Sequence, residues 1–418
     1  MTFMFTRPSS KPIRIATGVL SFCFVLSPGV GQLSWAQSLV DTPFTRQVEK
    51  NFTHWDKDKN GNLSESEVNA SITDPRFTGE SAAALAALKV ALRSTNRGPL
   101  LPFDRPYFAQ YARRSTTRKT AATSSISPVG EIDEVESSPE TSAPPPFDSY
   151  YQRSLSRLRT TGPEIFLSND PRLDHIRQHS ENDCFFLAVI GAIINRAPAT
   201  LHNMVTTRRD GSSLVTFPGR QPQTIPSLTD AQISLYGSTS SGARWLMLLE
   251  EAFSRTNNDR RPEAVRQEVS SDFYTVGGST PACMRILTGH ETDGITLRAR
   301  DAITMPTQAE METKLPPLRT ALTDALRERR IVTVGTNNGV MPPAITPRHA
   351  YAVLGYDAAS DTIRLWNPHR NNTRHRGVPG LQTGYPTREG IFTLPLAEFA
   401  CIFMRVTWEV IPGKEISR

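Results

Sequence analysis

Residues 114–147 do most to limit what this chain can fold into. Between 115 and 146 Ser, Thr and Pro dominate, an acidic patch runs from Glu131 to Glu136, and the stretch ends in Ala143-Pro144-Pro145-Pro146. With few bulky apolar side chains, such a segment cannot bury enough surface to offset the entropy of ordering it, so it is expected to be a disordered linker. It leaves a small helical unit at 40–113 and a large mixed unit at 148–412. In the small unit Phe44, Val48 and Phe52 recur at helical spacing, and Ala82 to Leu92 is rich in strong helix formers. In the large unit helices are expected at Cys184–Asn195, Trp245–Phe253 and Leu318–Arg330. Strands are expected at Ile331–Thr336, Ala350–Tyr356, Thr362–Trp366, Gly390–Leu394 and Phe403–Ile411. Helices first and strands later suit an α+β fold with a helical half and a sheet half.

The first residues read as an export signal spanning 1–36. Arg7, Lys11 and Arg14 form a basic region, an apolar run extends from Ile15 to about Leu26, and Ser34-Trp35-Ala36 places small residues where cleavage after Ala36 requires them. The run is shorter than the ~20 apolar residues of a spanning helix, so no membrane anchor is expected after cleavage. The destination is periplasmic or extracellular. Cys23 leaves with the signal, and Cys184, Cys283 and Cys401 remain. Cys283 and Cys401 lie in apolar surroundings and are expected as core residues rather than a bridge. The net charge of +6 comes from interspersed residues. Without a basic and aromatic constellation, nucleic acid is not an expected partner.

Asp56 to Glu67 matches the EF-hand loop at each diagnostic position. Asp56, Asp58 and Asn60 offer side-chain oxygens at positions 1, 3 and 5, Gly61 permits the turn at position 6, and Asn62 offers its carbonyl at position 7. Ser64 acts through water at position 9, and Glu67 binds with both oxygens at position 12. The set suits Ca2+, a hard cation that takes six to eight oxygens. These loops usually pair. Arg93 to Asp104 has Gly98 and Leu100 in register with positions 6 and 8, but Arg93, Thr95 and Arg97 stand where ligands belong. It is expected to be a degenerate partner that packs and binds no metal.

Cys184 opens an apolar helix, where the helix dipole favours a thiolate. Gln178 precedes it in a loop, where its amide can face an oxyanion together with the backbone N–H of Cys184. His349 opens one strand and Asn367 closes the next. If those strands pair, Asn367 can accept a hydrogen bond from His349 and turn the other ring nitrogen toward the thiol, as a Cys–His–Asn set requires.

Gln178, Asp183-Cys184-Phe185-Phe186-Leu187-Ala188, His349-Ala350-Tyr351 and Asn367-Pro368 closely resemble the active-site segments of calpains. Trp245 with Leu248-Leu249-Glu250-Glu251-Ala252-Phe253, Gly277-Gly278-Ser279-Thr280 leading to Leu287-Thr288-Gly289, and the closing Gly390-Ile391-Phe392 and Glu398-Phe399 resemble other stretches of the same domain. The resemblance covers about 150–412, in the family's order. It implies a papain-like two-lobed fold, polypeptide substrates and hydrolysis through an acyl-enzyme, with Cys184 as nucleophile, His349 as base, Asn367 as orienter and Gln178 at the oxyanion. Four residues depart from the family. Phe185 replaces a tryptophan, Arg348 a glycine, and His369-Arg370 a Trp-Gly pair whose tryptophan shields the His–Asn hydrogen bond from water. The later calpain domains are not matched, and the calcium loop precedes the catalytic domain. Two rivals share these residues: an inactive domain that binds polypeptides, and an amidase or acyl transferase using the same chemistry.

Overall fold

The computed structural model describes residues 42–93, 102–113, 145–178, 182–267, 272, 274, 277–299, 307–339, 341–374 and 377–413. The signal assignment at 1–36 and nearly all of the linker assignment lie outside them.

Helix α1 (Pro43–Trp55) starts at a capping box. Thr42 accepts from the Thr45 backbone N–H at 3.2 Å, and proline takes the first helical position, where no N–H is needed. The loop 56–61 leads to β1 (Asn62–Leu63) and α2 (Glu65–Ile72), followed by α3 (Gly79–Arg93), β2 (Phe103–Asp104) and α4 (105–113). β1 and β2 pair antiparallel, with Leu63 opposite Phe103. Phe103 and Asp104, at the end of the expected partner loop, pair with β1 in a register that differs from the expectation. Leu100, expected opposite Leu63, lies outside the described residues, and buried Phe103 takes that place. The reason is local: the Asp104 side chain accepts from the Tyr107 N–H at 2.7 Å and caps α4, which fixes where the strand must end.

Helix α5 (Phe147–Thr160) follows. Its Phe147, Tyr151 and Leu155 are buried with Phe44, Val48 and Leu85, and the Phe44 and Phe147 rings stack at 4.8 Å between centroids. The sequence boundary near 148 therefore crosses a continuous core, to which Ala231 and Leu235 also belong. Lys89 on α3 ties the parts further. It is fully buried, and its ammonium donates to Glu65 at 2.9 Å, Asn69 at 2.6 Å and Asp272 at 2.7 Å. Arg93 also pairs with Asp272, at 2.8 Å.

The chain continues through β3 (Ile176–Arg177), α6 (Cys184–Arg196), α7 (Ala199–Asn203), β4 (Val205–Thr207), β5 (Ser213–Val215), β6 (Gln223–Ile225), α8 (Asp230–Leu235), β7 (Ser238–Thr239), α9 (Trp245–Asp259) and α10 (Thr280–Thr288). Next come β8 (Glu291–Thr296), α11 (Gln308–Arg327), β9 (Val332–Thr336), β10 (Ala350–Asp357), β11 (Thr362–Trp366), β12 (Ile391–Pro395), α12 (Leu396–Ile402) and β13 (Phe403–Val410). Helix α11 starts ten residues before the expected Leu318, at Gln308. Thr307 and Glu310 cap it, and Pro316 and Pro317 lie inside it instead of opening it.

The main sheet has six strands in the order β12-β11-β10-β9-β13-β8, and every pairing is antiparallel. Strand β10 is buried on both faces. Ala350, Ala352 and Leu354 face the core of α6, α9 and α10, while Tyr351 and Val353 face the core of α11 and α12. The architecture is thus mixed α and β, with helices on both faces of an antiparallel sheet. Among the described residues no helix is long and apolar enough to cross a membrane.

A lysine without solvent survives only where acceptors replace water. Lys89→Met takes the ammonium away from Asn69 and from Asp272, which keeps its pair with Arg93, and is expected to destabilise the protein by about 1–3 kcal/mol in urea unfolding. A loss below about 1 kcal/mol would contradict the role given to this cluster.

Candidate active site

The strands carrying His349 and Asn367 are neighbours, as expected. The register places Ala352 opposite Trp366, so Asn367 falls across from Tyr351, and His349 lies two residues away on the same face. His349 Nε2 meets Asn367 Oδ1 at 2.8 Å in a buried setting. The backbone N–H of His369 meets the same oxygen at 2.9 Å. A backbone N–H can only donate, so this atom of Asn367 is its carbonyl oxygen, and His349 must carry its proton on Nε2. Nδ1 keeps its lone pair and is free to act as a base.

The His349 backbone is clamped by the last residue of β9. The Thr336 hydroxyl accepts from the His349 N–H at 2.9 Å, and the Thr336 N–H donates to the His349 carbonyl at 2.9 Å. Arg348 has φ +51°, a left-handed conformation that side chains disfavour and glycine adopts readily. The Arg348 side chain itself is exposed.

Cys184 is the first residue of α6, and its thiol receives the backbone N–H of Ala350, the residue after His349. The close approach of helix and sheet depends on Gly191, where a Cβ would lie 2.6 Å from the Trp366 ring. Phe185 stands in similarly tight packing under Gly278, where a Cβ would lie 2.5 Å from its ring. Gln178 is buried at the end of β3, and its N–H donates to the Pro368 carbonyl at 2.9 Å. That bond ties the Gln178 loop to the turn carrying Asn367. The four residues singled out by sequence are therefore brought to one place by α6, β3, β10 and β11. Cys283 and Cys401 are both free, as expected; Cys283 is buried in α10 and Cys401 is half-buried in α12.

His369 stands where the resemblance implies a shielding tryptophan. Its ring stacks on His349, with centroids 4.2 Å apart and planes 29° apart. It covers one side of the ring while Tyr351 meets it edge-on at 5.0 Å. Burial and then His369 hold the His349 imidazole down to about 3, against the opposing hydrogen bond to Asn367. Burial pushes the Cys184 thiol up to about 11 and Asp183 adds to this, while nearby backbone N–H groups oppose it. At neutral pH the thiol and imidazole are then both uncharged. The thiol thus meets the backbone of the residue that follows an imidazole oriented by Asn367.

The second candidate site is the loop between α1 and α2. Asp56, Asp58 and Glu67 each present an oxygen within 4.8 Å of the others. The Asp56 Oδ2 accepts from the Gly61 N–H at 3.0 Å, and the Asp58 Oδ1 from the Asn60 N–H at 3.0 Å. The Asn60 Oδ1 accepts from the Asn62 N–H at 2.7 Å. Asn62 itself lies in β1 and is half-buried. Glu67 closes the loop: its Oε1 accepts from Lys57 at 2.7 Å, and its Oε2 from the Ser64 N–H at 2.8 Å. Burial raises the Glu67 pKa, but the hydrogen bonds from Ser64, Asp58 and Lys57 outweigh it and hold the carboxyl below its ordinary range. One atom tests the fit of a cation: Asp56 Oδ1 is buried and has no hydrogen-bond partner. A buried carboxylate oxygen without a donor is costly, and an oxygen-seeking cation satisfies it.

No protein-family model matches this chain, and no curated protein matches it in sequence.

Proposed function

We propose that this protein is an exported cysteine endopeptidase of calpain-like, papain-fold type, with a calcium-binding EF-hand module ahead of the catalytic domain. The observation that carries this reading is the buried 2.8 Å hydrogen bond from His349 to Asn367, set beside the first turn of the helix that carries Cys184. In this reading His349 Nδ1 takes the thiol proton as Cys184 Sγ attacks the scissile carbonyl carbon. The carbonyl oxygen gathers the negative charge, and the Gln178 amide with the Cys184 backbone N–H stabilises it. Collapse of the adduct breaks the C–N bond, and His349 returns the proton to the departing amine. A water, deprotonated by the same nitrogen, then releases the acyl group from the thioester and regenerates the thiol. The His369 ring keeps water from the His349–Asn367 hydrogen bond, the task of the tryptophan in the family it resembles.

Digestion of denatured casein by the full-length mature protein, followed by fragment sequencing, tests this reading. Internal cleavage is expected, and it should vanish in Cys184→Ser and fall about a hundredfold in Gln178→Ala. Because the imidazole must be unprotonated to accept the thiol proton, and its pKa is held down to about 3, cleavage should persist well below the ordinary histidine value of 6.5. Casein left intact, with cleavage of only small amides, would replace the peptidase reading with an amidase one.

Asp56, Asp58 and Asn60 through side chains, Asn62 through its carbonyl and Glu67 through its carboxylate would hold Ca2+. Its charge would compensate the acidic loop and join α1 to α2. Calcium is therefore expected to stabilise the full-length protein by mass action, by about 2.7 kcal/mol at a hundred times the dissociation constant. Thermal melts in calcium and in chelator measure this, and Glu67→Gln should abolish the difference. Equal melting temperatures in calcium and chelator would remove calcium from this loop.

A further inference from the structure

A cavity of about 450 Å³ opens beside Gln178, at the seam between α3, α5, α8 and the β3–β7 pair. Its walls include Arg153, Arg157, Arg177, Ser234 and Ser238, and no carboxylate stands among its described lining residues. The three guanidinium groups differ in what they are free to do. Arg157 is held as a wall, because its Nη1 donates to the carbonyls of Ser234 and Tyr236 at 2.6 Å each. Arg153 is exposed and lies over the Tyr150 ring, 5.0 Å from its centroid. Arg177 is exposed, makes no ion pair among the described residues, and acts electrostatically on His369, which stacks on His349. A fourth group is independent of these. The Ser234 hydroxyl is buried, only 4% of the residue is exposed, and its oxygen has no hydrogen-bond partner.

With two exposed guanidinium groups, Arg153 and Arg177, and no carboxylate among its described lining residues, the site suits an anionic acceptor. Its neighbour Gln178 is the residue assigned above to the oxyanion, so whatever enters lies within a residue or two of the reacting carbonyl. The volume accommodates an acidic side chain with part of its backbone.

We propose that this cavity is a specificity pocket for a carboxylate, an Asp or Glu side chain of the polypeptide close to the scissile bond; this rests on the peptidase reading for the identity of the reacting bond. Arg177 and Arg153 supply the attracting charge. Arg157 keeps the wall basic. The pocket includes Val90 from α3, so the helical module contributes to selection of the substrate.

The test uses pairs of fluorogenic decapeptides that differ only by Glu or Gln at one position, moved residue by residue through the sequence. With the full-length protein, at one or more positions near the scissile bond kcat/KM should be about tenfold higher for Glu, the size of a charge-assisted contact in a partly exposed site. Arg153→Ala combined with Arg177→Ala should bring that ratio close to one, with Glu and Gln peptides then cleaved at similar rates. High salt should shrink the ratio in the parent protein. Binding of the same peptides to Cys184→Ala, read by fluorescence anisotropy, separates the two claims. Tighter binding of Glu peptides without any turnover by the parent protein supports the pocket and removes the peptidase reading. Equal rates and equal binding for Glu and Gln at every position overturn the pocket, whatever the protein cleaves.

Discussion

The arrangement depends on one packing contact, helix α6 laid against β10 and β11. The helix brings Cys184 to the sheet, and the sheet brings His349 and Asn367 to each other. Gly191 sets how near the two can come, since any side chain there would strike Trp366. Trp366 in turn immediately precedes Asn367, so the residue that receives the helix also fixes the turn that orients the imidazole. The polar contacts follow from this apolar one. Thr336 clamps the His349 backbone, Pro368 holds Gln178, and the His369 N–H fixes the Asn367 amide.

The helical module is fastened to the rest of the chain in two ways. Its apolar side chains share a core with α5 and α8, and its one fully buried lysine reaches Asp272. The acceptors of Lys89 on the module side, Glu65 and Asn69, sit on α2, the helix that also carries Glu67. The loop with the metal-binding pattern and the contact to the larger part therefore share the same short helix. The module also supplies a wall of the basic cavity, so removing it would alter the surface beside Gln178 as well as the loop.

Much of this was legible in the sequence because the signals were local. Cys184 began an apolar run and became the first residue of a helix. His349 and Asn367 flanked two strand-like runs joined by a short turn, and neighbouring strands of that kind usually pair. Five expected strands lie within a residue or two of those observed. Elements with weak local signals were missed. Strand β8 reads Glu-Thr-Asp-Gly-Ile-Thr, too polar to announce itself, and it sits at a sheet edge where polarity is tolerated. The small sheet of β4, β5 and β6 has three residues in each strand. The register of the second loop was misread because a glycine was given more weight than Phe103, whose burial against the first loop decides the pairing. The stacking of His369 on His349 and the gathering of Arg153, Arg157 and Arg177 around one cavity depend on tertiary contacts. No spacing in the chain reports them.

The account stands on a single reactive thiol served by His349. The most direct measurement is mass spectrometry of the protein lacking residues 1–36 after treatment with a peptidyl epoxide. Cys184, Cys283 and Cys401 would be quantified in the parent protein, in His349→Ala and after unfolding. The account predicts one label on the native protein, at Cys184, its near loss in His349→Ala, and labelling of all three cysteines only once the chain is unfolded. Native labelling centred on Cys401, or labelling of Cys184 at the same rate with and without His349, would contradict it.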